Sequence, residues 1–194
     1  MGPSMRSNYW GLFGRWLIAT LMAWLLGIIA AIVLSYAIVS PILHKDTNLI
    51  VGLVLGSTVG LLQMISVRPV LYLTPRWMWG ATVGMGIPFI IAVAVDEVML
   101  GGALTSETML VPVALTGGVL TGLIQAPVLG LHTPRSKWWT LASMVSWGAA
   151  WLFSIILNGF GLIFGGLVLG ALSGAFLISL LKFPLTHDTS KKPL

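Results

Sequence analysis

Two glutamines are the polar groups best placed for chemistry in this sequence, because each lies inside a long apolar run. Gln63 ends the stretch Gly56-Ser57-Thr58-Val59-Gly60-Leu61-Leu62-Gln63, and Gln125 ends Gly118 to Gln125, which reads G-V-L-T-G-L-I-Q. A primary amide in an apolar helix can bond to a neighbouring helix, worth roughly 1 kcal/mol. It can equally hold a lipid headgroup, a quinone carbonyl or a pigment substituent, which makes Gln63 and Gln125 candidate ligand contacts. Trp24, Trp147 and Trp151 join them, since they sit deeper in their runs than an interfacial aromatic belt. A buried indole N–H needs an acceptor. For both sets an ordinary helix–helix interface is the simpler expectation.

Other chemistry has little to stand on. Charged groups deep in a bilayer mark ion and proton pathways, and none falls near the centre of an apolar run here. Asp96 and Glu97 sit at a boundary, and Glu107 lies in the same acidic loop, read as Asp96 to Thr108. His44 and His132 fall in turns and His187 in the tail. No His pair at i, i+4 suggests a metal site, and no carboxylate pair or Ser-His-Asp set suggests catalysis. The chain has no Cys, which removes thiolate chemistry and leaves the redox compartment unreadable. The expectation is a protein without catalytic residues and without a metal.

The elements that carry the two glutamines are membrane helices. Hydrophobic residues make up 57% of the chain and charged residues 8%, where a soluble domain has about 25%. Mean hydropathy is +1.00. A spanning helix needs about 20 apolar residues, and six runs meet that length: about 16–39, 48–67, 76–95, 109–131, 138–157, and a sixth that follows the tight turn Asn158-Gly159-Phe160-Gly161 and reaches about Leu181. Residues 1–14 read as a polar and aromatic lead-in, interfacial or disordered, and residues 183–194 as a flexible tail. Ser35-Tyr36-Ala37 resembles a signal-peptidase site, but the apolar run before it exceeds an h-region of about 7–15 residues. It is expected to be a retained helix.

Basic residues orient these runs. With the N-terminus inside, nine of the ten fall on inside segments (Arg6, Arg15, Arg68, Arg76, Arg135, Lys137, Lys182, Lys191 and Lys192), and only Lys45 falls outside. That is a strong positive-inside bias. Net charge is +5, yet the basic residues are dispersed over helix ends, which fits topology better than nucleic-acid binding.

The glycine stretch recurs a third time as Gly170 to Leu177, G-A-L-S-G-A-F-L, with the glutamine lost. Small residues at i and i+4 let a second helix approach closely, so Gly56, Gly60, Gly118, Gly122, Gly170 and Gly174 are expected packing positions. Arg15-Trp16, Arg76-Trp77 and Lys137-Trp138 each begin the preceding helix, 61 residues apart both times. They read as interface anchors, with the cation snorkelling and the indole at headgroup level. The expected fold is all-α: a single membrane domain of six transmembrane helices in three parallel-repeat hairpins. The units are about 15–68, 76–131 and 137–182, with both termini cytoplasmic. Three hairpins in six helices match the mitochondrial carriers in architecture, but their P-x-[DE]-x-x-[KR] motif is absent and the likeness ends there.

The G-x-x-x-G-L-x-Q helix, repeated after a basic-Trp helix, resembles small polytopic bacterial proteins without an assigned activity, as in filamentous anoxygenic phototrophs and cyanobacteria. The resemblance covers most of Arg15 to Leu181. It implies an accessory subunit in the bacterial inner membrane, beside a reaction-centre, light-harvesting or respiratory assembly. Bound lipid, quinone, carotenoid or bacteriochlorophyll would be the cofactors to expect. A light-harvesting polypeptide ligates bacteriochlorophyll through a His within a helix, and this chain has none. The expected function is therefore a non-catalytic accessory or scaffolding subunit whose partners are other membrane subunits and the bilayer. The alternative is a small permease for a neutral or apolar solute.

Overall fold

In the computed structural model six α-helices form a ring. The structure describes residues 3–39, 50–99, 106–157 and 161–182. Helix α1 is Pro3–Leu34, ending in a π-helical turn, Ser35–Val39; α2 is Val51–Val67, α3 Pro75–Met99, α4 Ser106–Leu129, α5 Trp139–Ile156 and α6 Gly161–Leu181. A single 3₁₀ turn, Ser136–Trp138, leads into α5. No strand occurs among the described residues.

Five of the helices are long and apolar enough to cross a membrane, and α2 is apolar but only 17 residues long. At 1.5 Å per residue α2 reaches about 26 Å, slightly less than a ~30 Å hydrocarbon core. Large apolar side chains remain exposed on every helix, among them Ile29, Ile65, Ile91, Leu123, Ile156 and Phe164. Such a surface is costly in water and favourable in lipid. This is a multi-pass membrane protein.

Some boundaries differ from those the sequence suggests. The first helix begins at Pro3, so most of residues 1–14 are helical and not a loose lead-in. Asp96 and Glu97 belong to the last turns of α3, and Glu107 to the first turn of α4. The helical backbone thus continues past the apolar runs at both helix ends. The expectations for His44, Lys45, the turn at Asn158, His187, Lys191, Lys192 and the flexible tail lie outside the described residues.

Each helix packs along the next, and α6 packs back along α1. Glycines set the closest approaches. A Cβ added at Gly60 would lie 2.9 Å from the Cα of Met78, and at Gly118 2.7 Å from the Cα of Met144. At Gly174 it would lie 3.0 Å from Cδ1 of Trp16. In each case the even-numbered helix presses its glycine face on the odd-numbered helix that follows it round the ring. Gly52 meets Met85, Gly56 meets Ala81 and Gly60 meets Met78, so α2 and α3 are antiparallel. The same opposed order holds for Gly118 and Gly122 on α5, and for Gly170 and Gly174 on α1.

Candidate functional site

The interior of the ring is layered, and the layers follow from helical periodicity. Residues four apart share a face, so the odd-numbered helices present Trp16, Thr20 and Trp24; Trp77, Ala81 and Met85; and Trp139, Ser143 and Trp147 to the middle. All nine are buried. Trp16, Trp77 and Trp139 form the first layer, with ring centroids 5.3–6.1 Å apart. Trp24, Trp147, Trp151 and Phe89 form the second, with Trp24 at 6.0 Å from Trp147 and 5.5 Å from Trp151. Between the aromatic layers lies a belt of small polar residues that includes Thr20, Thr121, Ser143, Ser146 and Ser173.

The two glutamines sit beside the first layer, each tying its own helix to both neighbours. On α2 the carbonyl of Gln63 accepts from the indole N–H of Trp77 on α3 at 3.3 Å, while its amide donates to Thr20 Oγ1 on α1 at 3.0 Å. On α4 the carbonyl of Gln125 accepts from Trp139 N–H on α5 at 2.8 Å, and its amide donates to the backbone carbonyl of Trp77 on α3 at 2.9 Å. Helix α6 has Leu177 in the corresponding position. There the N–H of Trp16 is accepted one turn earlier, by Ser173 Oγ at 2.8 Å, and Ser173 donates in turn to the carbonyl of Leu169. All three tryptophan N–H groups of this layer thus find an acceptor on the preceding helix of the ring.

This arrangement corrects the anchoring role expected of two tryptophans. Trp16 and Trp77 are 0% exposed, so neither indole reaches a headgroup. The third member of their layer is Trp139, and its neighbour Trp138 is 55% exposed. Gln63 to Trp77 and Gln125 to Trp139 are both 14 residues apart, so the second tryptophan of the pair is the one that turns inward, after the 3₁₀ turn at Ser136–Trp138. Arg15, Arg76 and Lys137 are exposed, at the same end of the bundle as exposed Arg68, Arg135 and Lys182. Thr20, Ser173 and Trp139 escape a reading of motifs. The 62-residue interval from Gly56 to Gly118, and from Gln63 to Gln125, does point to Trp139 as the partner of Trp77.

Of the deeper tryptophans, Trp24 and Trp151 have indole N–H groups without an acceptor, as do the hydroxyls of Thr121 and Ser146. Thr133 closes the basic end, donating to the carbonyl of Leu180 at 2.9 Å from the α4–α5 turn. His132 Nε2 lies 3.3 Å from the carbonyl of Tyr72 in the same region. No cluster of three metal-ligating side chains occurs among the described residues.

Comparison with known proteins gives no match: no family model, no curated protein and no solved structure corresponds to this chain.

Proposed function

We propose that this chain is a non-catalytic accessory subunit of a larger membrane assembly, a photosynthetic or respiratory complex of the bacterial inner membrane. In this reading it is a triplicated hairpin with six crossings and both termini on the cytoplasmic side. The observation that carries the proposal is the filled interior. The amides and indoles that could have met a ligand at the first layer are engaged with each other, and two aromatic layers occupy the axis. What the molecule then offers is its outer surface, a continuous apolar face rimmed at one end by basic residues. A face of this kind binds other membrane helices and lipid tails through packing. A permease would need a passage where the tryptophans stand, so the accessory role is preferred.

The test is separation of native membranes in mild detergent, followed by mass spectrometry of whatever migrates with the chain. Co-migration with a large multi-subunit complex is expected, and pigment absorbance in that band would assign it to the photosynthetic class. Migration as a lone species under conditions that keep such complexes intact would contradict the proposal.

A further inference from the structure

We propose that the polar belt between the two tryptophan layers is a binding site for one water molecule, held by Thr121 of α4 and Ser146 of α5. Serine and threonine in a helix ordinarily turn their hydroxyl back to the carbonyl four residues earlier. Seven hydroxyls here do so: Ser57, Thr58, Thr82, Thr116, Ser154, Ser173 and Ser179. Thr121 and Ser146 do not. Their exposures are 2% and 0%, their oxygens have no protein partner, and both line one small cavity on the axis.

The remaining polar lining of that cavity is Gln63, Gln125, Ser143 and Ser173, and every residue around it is buried. A buried hydroxyl without a partner is destabilising, so two facing one cavity call for a guest that both donates and accepts. The space open to the centre of a water molecule is about 10 Å³, close to what one water needs. No larger ligand fits. The lining carries no charge, which makes an ion an unfavourable guest. Polar lining and unpaired hydroxyls likewise distinguish this site from the apolar cavities that stay dry.

Aromatic layers close the belt at both ends, with Trp139 and Trp77 on one side and Trp147 and Trp24 on the other. The water is therefore sealed in place and exchanges only when the ring breathes. It is a structural link between α4 and α5, and not a station on a path across the membrane.

Hydroxyl-radical labelling by X-ray radiolysis of the full chain in lipid nanodiscs reads such a water directly, because radicals form where the water is bound. The expected result is oxidation of buried Trp139 and Trp147, which line the cavity. Rapid mixing with ¹⁸O-water before irradiation should leave the old isotope at these two residues and introduce the new one at exposed Trp79. Labelling of Trp139 and Trp147 should fall severalfold in Thr121→Val, an isosteric change, and further in Thr121→Val with Ser146→Ala, while Trp79 is unchanged. Absence of label on Trp139 and Trp147 in the unaltered chain would overturn the proposal, and so would equal labelling in Thr121→Val. Immediate appearance of ¹⁸O at both residues would overturn the sealed site.

Discussion

The side-chain carbonyl of Gln125 accepts a 2.8 Å hydrogen bond from the indole N–H of Trp139, 14 residues later in the chain and on the next helix of the ring. The same amide donates to the backbone of Trp77 on the helix before. One side chain therefore fixes three helices, and its loss leaves two polar groups in an apolar interior. For Gln125→Leu we expect a loss of about 1–3 kcal/mol of stability, measured by thermal or denaturant unfolding in detergent. A double-mutant cycle with Trp139→Phe isolates the pair, and a coupling of about 0.6–1.7 kcal/mol is expected. A coupling near zero would mean that the bond contributes nothing.

The glycines divide into those that face backbone, those that face side chains and those with nothing within 4 Å. A Cβ at Gly122 would lie 2.5 Å from the Cα of Thr140, which can yield only if α4 and α5 separate. Gly122→Ala is therefore expected to destabilise by about 1–3 kcal/mol. Gly174→Ala meets the side chains of Trp16 and Phe13 at 3.0–3.2 Å and should cost less. Gly14 has nothing within 4 Å, so Gly14→Ala should be neutral, or stabilising by up to about 1 kcal/mol through helix propensity. Melting temperatures should rise from Gly122→Ala through Gly174→Ala to Gly14→Ala.

Leu177 occupies the slot that Gln63 and Gln125 fill on the other two even-numbered helices, seven residues after the first glycine of each motif. Ser173→Ala removes the acceptor of the Trp16 N–H and should lower the melting temperature. Adding Leu177→Gln to that variant offers the indole an amide carbonyl from the position used elsewhere, and should recover part of the loss. Further loss in the double variant would show that α6 does not accept the geometry that α2 and α4 share.

Topology can be read by single-cysteine labelling, because the natural chain contains no Cys. With Lys137→Cys, in the exposed turn before α5, a membrane-impermeant maleimide should label inverted vesicles and spare intact cells. Labelling from the outside of cells would reverse the proposed orientation.

Most of the architecture is legible because apolar run length is a strong signal in lipid. Arg68-Pro69 ends α2 where a proline halts the backbone ladder, and the glycine spacing marks the faces that approach closely. The inward direction of the tryptophans was not legible. A tryptophan after a basic residue at a helix start fits both an interfacial belt and a buried layer, and only ring closure distinguishes them. With α6 against α1, the side chains at Trp16, Trp77 and Trp139 share one axis and leave the headgroups. The choice between Trp138 and Trp139 follows the 14-residue interval from glutamine to tryptophan, whereas the 61-residue step between basic-Trp pairs points to Trp138. Thr20 and Ser173 carry no motif, since any short hydroxyl on the right turn could serve as partner.

Everything proposed for this molecule depends on α6 closing the ring against α1, where the hydroxyl of Tyr9 reaches the carbonyl of Leu181 at 3.5 Å. The direct measurement is cross-linking of a Tyr9→Cys, Leu181→Cys chain by a short bismaleimide in native membranes, read by intact mass. An intramolecular product in high yield at the mass of one chain is predicted, with none from either single variant. Only inter-chain dimers, or no product while both cysteines react singly with maleimide, would contradict a closed ring.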